Sequence, residues 1–282
     1  MDRLEAHRSF FANLVTAAAG KPNSRIAAAF ASIPRENFLG PGPWRIFVGG
    51  TYITTPSADP AFLYQDVIVA LSEEKKINNG QPTLHAVSLT TLDPKEGETV
   101  IHVGAGTGYY TALLRNLVGS RGQVFAYEIN PELGGRAKTN LADFPNVTVY
   151  TQSGTESPMP ACDICYVNAG ATMPLNAWLD ALRPKGKLLF PLTPDGPGGT
   201  PAPGGMLLIT RTAAENFDAR FIMPVMFTPC LGARDEQTAQ TLAAAFKRGD
   251  MGNVRSLHRD GIADGSCWCA GDRWWLSTAP NS

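Results

Sequence analysis

The strongest constraint on the fold is the alternation of strand-like and helix-like segments between residues 98 and 192. The helix-like segments lie at 109–118, 131–144 and 176–182. Between them are short apolar runs that predict strands, namely ETVIHV (98–103), QVFAYEI (123–129), VTVYT (147–151), CDICYVNA (162–169) and GKLLFPL (186–192). Strands that alternate with helices predict an α/β fold with a doubly wound, mostly parallel sheet.

The segments on either side of this core have different patterns. Residues 1–40 have helical spacing, and the polar stretch 72–80 predicts a solvated loop. After a Pro- and Gly-rich loop, the runs 206–211 and 219–227 predict an antiparallel hairpin at the sheet edge. We therefore expect a helical N-terminal segment (1–80), a core (81–232) and a C-terminal extension packed on the core (233–282).

The charge and hydropathy of the chain limit its partners. It has 24 Lys and Arg against 25 Asp and Glu, for a formal net charge of −1, which argues against nucleic-acid binding through a broad basic face. No stretch of the sequence reaches the ~18 to 20 consecutive apolar residues of a membrane-spanning helix. Asp2, Glu5 and Arg8 interrupt the apolar start, which is typical of an amphipathic helix and not of a signal peptide. We expect a cytoplasmic protein without a nucleic-acid or membrane partner.

The five cysteines are expected to be buried, reduced thiols. Cys162 and Cys165 lie in an apolar run, where residues three apart on a strand point to opposite faces. Cys267 and Cys269 could share one face of a strand, but no second pair or nearby histidine completes a zinc site. The sequence therefore predicts no metal centre.

A glycine-rich turn follows the predicted strand 98–103 and precedes the predicted helix 109–118. It reads Gly104-Ala105-Gly106-Thr107-Gly108, and such a turn lets a ligand approach the backbone and the helix N-terminus. Glu128 ends the next strand, where a carboxylate can accept both hydroxyls of a ribose. Together, the loop and the carboxylate predict a nucleoside-containing ligand.

The spacing of the glycines separates two classes of ligand. Dinucleotide sites use G-x-G-x-x-G, whereas the third glycine here is Gly108 and Tyr109 occupies the dinucleotide position. The pattern G-x-G-x-G resembles the first motif of class I S-adenosylmethionine-dependent methyltransferases. We therefore expect S-adenosyl-L-methionine as the methyl donor, ahead of NAD.

Further motifs resemble the protein-L-isoaspartate O-methyltransferase family and lie in order within residues 23–192. They are Ile33-Pro34-Arg35-Glu36-Asn37-Phe38, Tyr64-Gln65-Asp66, Gly80-Gln81-Pro82, the glycine motif with Tyr109, Leu113-Leu114, Asn146-Val147, Asp163, and Pro184 to Pro191. The resemblance implies a Rossmann-like methyltransferase core, a substrate lid in the N-terminal segment, and methylation of a carboxylate in a damaged protein, a peptide or a related acid.

The candidate site residues fall into two groups. Those expected at the donor are His102, Gly104, Ala105, Gly106, Thr107, Gly108, Glu128, Ile129, Ser153, Gly154 and Asn168. Those expected at the methyl acceptor are Asp66, Gly80, Gln81, Pro82 and His85. No catalytic dyad is expected, because a carboxylate with an ordinary pKa near ~4 is already an ionised nucleophile at neutral pH.

Three positions depart from the family pattern that the resemblance implies. Gly80 stands where the family has a serine near the substrate carboxylate and the donor, so no hydroxyl is available and the space there should be larger. His102 replaces an acidic residue, and Ser153 replaces the aspartate of a glycine-aspartate-glycine near the adenine. The glycine at position 80 puts the identity of the acceptor in question. The changes at His102 and Ser153 put the affinity for the donor in question.

Several candidate residues have an alternative structural interpretation. For His102 the alternatives are a core histidine bonded to backbone and a residue that touches the donor's methionine portion. His85 could face the substrate or be structural, and Asp66 could orient the lid or cap a turn. Asn168 ends a strand and points toward the crevice in which ligands of such sheets bind.

These alternatives leave two further hypotheses for function. The chain could be a methyltransferase with a different peptide or small-molecule acceptor, because of Gly80. It could also be a non-catalytic relative that keeps the fold but not tight donor binding, because of His102 and Ser153. The sequence does not indicate an oligomeric state.

Overall fold

The computed structural model describes residues 2–20, 24–259 and 261–281. The α-helices are α1 (Arg3–Ala17), α2 (Ser24–Ser32), α3 (Pro82–Leu92), α4 (Tyr109–Val118), α5 (Pro131–Asn140), α6 (Asn176–Ala181) and α7 (Glu236–Arg248). The β-strands are β1 (Arg45–Val48), β2 (Thr51–Thr54), β3 (Ile68–Ser72), β4 (Ile77–Asn78), β5 (Thr99–Val103), β6 (Gln123–Tyr127), β7 (Val147–Tyr150), β8 (Cys162–Val167), β9 (Leu182–Leu192), β10 (Gly204–Arg211), β11 (Phe217–Val225), β12 (Ser256–His258), β13 (Cys267–Gly271) and β14 (Trp274–Ser277).

The first compact unit comprises Met1–Glu98 and Ala105–Gln152. It holds helices α1 to α5, an antiparallel sheet in the order β2-β1-β3-β4, and the parallel pair β6 and β7. Helix α1 packs against α2 and α3, and α4 packs against α2 and β6. Its core is aromatic and aliphatic, with Phe11, Phe30 and Leu63 fully buried.

The second compact unit comprises Thr99–Gly104 and Ser153–Ser282. Strands β5, β8 and β9 are parallel, and β10 continues the sheet antiparallel to β9. With the parallel pair of the first unit, these strands confirm the α/β, Rossmann-like methyltransferase fold class.

The late hairpin forms as expected, but it does not lie at the sheet edge. Strand β10 pairs antiparallel with β11, and β11 then pairs with β12, which is followed by β14 and β13. The strand β12 has only three residues, so it has too few positions to show a period in the sequence. The extension therefore lengthens the sheet, and α7 packs on β13.

The stretch 72–80 is only partly the solvated loop that the sequence predicts. Its charged turn is exposed, but residues 77–78 return as β4 and Asn79 is buried. The Asn79 Oδ1 atom accepts a hydrogen bond from the Val69 N–H at 2.9 Å. An amide that satisfies a buried backbone donor explains why a polar residue is buried here.

The five cysteines all have free thiols. Burial raises the pKa of Cys162 to about 12, so its thiol stays protonated and unreactive at neutral pH. Among the described residues, no group of His, Cys, Asp and Glu side chains is arranged to hold a metal ion. No described helix is both long and apolar enough to cross a membrane.

Candidate functional site

The glycine loop leads from β5 into α4 through backbone conformations that favour glycine. Gly106 lies at φ 56°, and Gly108, the N-cap of α4, lies at φ 96°. A Cβ atom at Gly108 would lie 2.8 Å from Leu141 Cδ1, which is closer than packing allows. The Ala105 N–H donates to the Tyr127 carbonyl at 3.1 Å. The loop is thus held at the end of β6, and its glycines allow a ligand to approach the backbone closely.

Glu128 joins this loop to the start of α5. Its Oε2 atom accepts the Gly106 N–H at 2.7 Å and its Oε1 atom accepts the Asn130 N–H at 2.9 Å. Burial raises the pKa of the Glu128 carboxyl, while the backbone donors of Asn130, Gly106 and Ile129 oppose that rise. Each carboxylate oxygen keeps a second lone pair that can accept a hydroxyl.

Two neighbours of these groups have unusual environments. Thr107 is 2% exposed, and its Oγ1 atom has no hydrogen-bond partner among the residues that the structure describes. Ile129 is 49% exposed, although large aliphatic side chains are usually buried. A polar ligand group at Thr107 would give its hydroxyl a hydrogen-bond partner. A flat apolar ligand group on Ile129 would cover the exposed side chain.

In the second unit, His102 and Asn168 form a pair at the carboxyl ends of β5 and β8. Asn168 Nδ2 lies 2.6 Å from His102 Nε2, and an amide nitrogen can only donate, so Nε2 is the acceptor and the neutral ring carries its proton on Nδ1. His102 is fully buried and stacks on Tyr166. A Cβ atom at Gly104 would lie 3.2 Å from the Asn168 carbonyl, so glycine allows this close approach.

The burial of His102 has a measurable consequence for stability. Burial lowers the pKa of His102 from 6.5 to about 3, so between those values the unfolded chain binds a proton that the native protein does not. The free energy of unfolding should therefore fall as the pH drops below 6.5, by up to about 1.4 kcal/mol per pH unit. We expect a shallower fall for His102→Gln in urea titrations at several pH values. Equal pH slopes for the two proteins would contradict the assignment of this titration to His102.

Ser153 and Gly154 are engaged in local contacts. Ser153 Oγ lies 2.7 Å from Thr155 Oγ1, and the Gly154 carbonyl accepts the Trp178 Nε1–H at 2.7 Å. Trp178 is fully buried, and the sequence pattern predicts it only as part of the helix 176–182. An indole N–H requires a partner when it is buried, which could have marked Trp178 as a support for this turn.

Of the residues expected at the acceptor, Asp66 organises the start of α3. Its Oδ1 atom accepts the Thr83 N–H at 2.8 Å, and its Oδ2 atom accepts the Gln81 side-chain amide at 2.8 Å. Pro82 is the first residue of α3, a position at which no backbone donor is lost. Asp66 therefore caps this helix and fixes the side chain of Gln81.

The larger space expected at Gly80 is absent. Gly80 lies at φ 74°, and a Cβ atom there would lie 2.2 Å from His85 Nε2. His85 is 2% exposed, and its ring stacks on Tyr110 with 3.4 Å between ring centroids. The prediction that glycine enlarges this place is wrong, because the imidazole one turn along α3 fills it.

Arg35 supports the segment around Asp66, although the sequence singles it out only as a member of the motif 33–38. It is fully buried and donates to the carbonyls of Leu63 and Val67, both at 2.7 Å. It also lies 3.4 Å from Asn79 Oδ1. This guanidinium therefore ties together the chain on either side of Asp66 and the residue before Gly80.

Comparison with known proteins identifies the family of this chain. The family model described as Protein-L-isoaspartate(D-aspartate) O-methyltransferase (PCMT) matches residues 13–234. A Methylorubrum extorquens protein-L-isoaspartate O-methyltransferase is 30% identical over 82% of this chain and 90% of its own length. One from Ignicoccus hospitalis is 27% identical over 80% of this chain and 98% of its own length.

Two solved structures share the fold. A protein-L-isoaspartate O-methyltransferase superposes with a TM-score of 0.65 at 21% identity, covering 85% of this chain and 69% of that chain. A PCMT structure from Plasmodium falciparum in complex with S-adenosyl-L-homocysteine superposes with a TM-score of 0.61 at 17% identity, covering 79% of this chain and 97% of that chain.

The parallel strands, the glycine loop and Glu128 define an S-adenosylmethionine-dependent methyltransferase. The residues fit this donor, since the buried Glu128 carboxylate lies beside the glycine loop and the Thr107 Oγ1 atom has no hydrogen-bond partner among the described residues. The chain belongs to the protein-L-isoaspartate O-methyltransferase family. This confirms the family, the cofactor and the enzyme class that the sequence predicts.

Proposed function

We propose that this enzyme transfers a methyl group from S-adenosyl-L-methionine to the side-chain carboxylate of L-isoaspartyl residues in proteins and peptides. The observation that carries the proposal is the family match over residues 13–234. That range contains both the loop bonded to Glu128 and the segment that Arg35 and Asp66 hold in place.

For the donor, we assign the backbone of residues 104–108 to the methionine portion and Glu128 to the ribose hydroxyls. The hydrogen bond from Gly106 to Glu128 supports this, because it places the carboxylate beside the loop backbone. The exposed Ile129 would contact the adenine, and we keep Ser153 and Gly154 as proposed donor residues. We keep Asn168 as a proposed donor residue, with the buried His102 as the neutral partner of its amide, since burial lowers the pKa of His102 to about 3.

The chemistry requires little from side chains. When bound, the donor supplies an electrophilic methyl group on a sulfonium. An isoaspartyl carboxylate is ionised at neutral pH, with an ordinary pKa near ~4, so no general base has to remove a proton. The protein's part is to align the carboxylate and exclude water, and such alignment can supply much of the rate enhancement.

A matched pair of peptides tests the proposal. The purified protein is incubated with labelled donor and a peptide that contains L-isoaspartate, and in parallel with the same peptide containing ordinary L-aspartate. We expect a base-labile methyl ester on the isoaspartyl peptide and none on the control. A base-stable methyl product, or label in another acceptor alone, would redirect the proposal to a different substrate of the same donor.

For the cellular role, we propose repair of damaged proteins in the cytoplasm, which the free cysteines support. Functionally, we divide the chain into a substrate-lid segment (1–80), a donor-binding core (81–232) and an extension (233–282). A protein partner would be recognised through its isoaspartyl residue.

A further inference from the structure

The carboxyl ends of β8 and β9 are joined by one arginine side chain. The Arg234 Nη1 atom donates to the Gly170 carbonyl at 2.6 Å and to Thr193 Oγ1 at 3.1 Å. Its Nη2 atom forms an ion pair with the Asp195 carboxylate, and the Arg234 side chain is only 15% exposed. Gly170 follows β8 and Thr193 follows β9, which are neighbouring parallel strands. The guanidinium therefore fixes the two strand ends to each other.

The start of the C-terminal extension is attached to the same place. The Cys230 N–H, in the loop before α7, donates to the Gly170 carbonyl at 2.8 Å. Asp235, the N-cap of α7, donates its N–H to Thr172 Oγ1 at 2.9 Å. The family match ends at residue 234, so the extension begins directly against the segment 168–172.

Asn168, the first residue of this segment, has an acceptor without a partner. Its Nδ2 atom is bonded to His102, but its Oδ1 atom is buried and has no hydrogen-bond partner among the residues that the structure describes. Buried polar atoms nearly always have a partner, so a bound ligand is expected to supply one. Asn168 is partly exposed and directly follows β8, at the edge where parallel sheets bind ligands. The contacts that fix residues 168–172 therefore also fix where this amide is presented.

We propose that Arg234 is a positioning residue for binding of the methyl donor. By bonding to Gly170 and pairing with Asp195, it holds the segment 168–172 so that the Asn168 amide is in position before S-adenosyl-L-methionine binds. Without the guanidinium, donor binding has to order this segment, and such ordering reduces affinity. The inference rests on the proposed assignment of Asn168 to the donor, and it connects the start of the C-terminal extension with donor binding.

The first test compares two arginines at opposite ends of β9 in the full-length protein. Arg211 Nη1 donates to the Leu182 carbonyl at 2.7 Å, at the amino end of that strand, whereas Arg234 lies at the carboxyl end. Arg234→Leu should raise the Kd for S-adenosyl-L-methionine about fivefold or more, by the loss of ordering hydrogen bonds. Arg211→Leu should leave that Kd unchanged, although both variants should lower the Tm. Equal donor Kd values for the two variants would show a purely structural role and overturn the inference.

Two milder variants test the geometry of the contact. Arg234→Lys should recover part of the affinity, because an ammonium can reach the Gly170 carbonyl or the Asp195 carboxylate but lacks the fork that joins both. Asp195→Ala should raise the donor Kd less than Arg234→Leu does, and should add little in the Arg234→Leu background. Full additivity would contradict their action as a pair. These variants also keep the inference testable if Arg234→Leu does not fold.

A second cycle tests whether Arg234 acts through Asn168. Asn168→Ala should raise the donor Kd, and adding Arg234→Leu to it should raise the Kd little further, since the positioned amide is already gone. A donor Kd unchanged in Asn168→Ala, or full additivity of the two substitutions, would overturn the inference.

The donor Kd separates the inference from the proposed function, because calorimetry measures it without any acceptor. A raised Kd in Arg234→Leu, together with no methyl ester on the isoaspartyl peptide in the wild-type protein, would overturn the proposed function and support the inference. Ester formation by the wild-type protein, with an unchanged donor Kd in Arg234→Leu, would overturn the inference alone. Absence of donor binding by the wild-type protein would overturn both.

Discussion

Replacing Arg35 with leucine is expected to lower the free energy of unfolding by about 3 kcal/mol. The guanidinium donates to the carbonyls of Leu63, Gln65 and Val67, and each buried group left unpaired costs about 1 to 3 kcal/mol. Relief from burying a charge offsets part of this sum. Urea denaturation should show the loss, and the Tm should fall by about 2 to 4 °C for each kcal/mol.

The matched control for this variant is Arg3→Leu. Arg3 pairs with Asp59 at the surface, and its side chain is 64% exposed, so an effect within about 1 kcal/mol is expected. Arg35→Lys keeps the charge but cannot reach both groups of carbonyls, and should fall between the two leucine variants. If Arg35→Leu were as stable as Arg3→Leu, the clamp on residues 63–67 would not be a major source of stability.

The sequence predicted the central elements well because their signals are local. Helix α4 has the predicted bounds 109–118, since Gly108 caps it and its apolar positions follow the helical period. Helix α5 was predicted to reach 144 but ends at Asn140. The strand β12 was missed because its pairing with β11 joins residues that lie far apart in the sequence.

The candidate site also has contacts that could be predicted from the sequence and contacts that could not. The link between the glycine loop and Glu128 was predictable, because strand length fixes where the carboxylate falls. The contact between Gly80 and His85 was not, although only five positions separate them, because it depends on the left-handed backbone of Gly80. The role of Arg35 was not predictable either, since its partners lie 28 to 44 residues away and a motif does not reveal what its members contact.

The second large effect is expected at Glu128, where alanine should weaken donor binding by about 1 to 3 kcal/mol, or roughly 5- to 150-fold in Kd. Two causes add, because the variant removes a charged acceptor for the ribose and also releases the Gly106 and Asn130 N–H groups. Glu128→Gln should lose nearly as much, since its NH₂ group would face one of those donors. Calorimetry with S-adenosyl-L-methionine measures both, with the exposed Glu132→Ala as control. An affinity unchanged in Glu128→Ala would place the ribose elsewhere, and tight NAD binding by the wild-type protein would contradict the assignment of the donor.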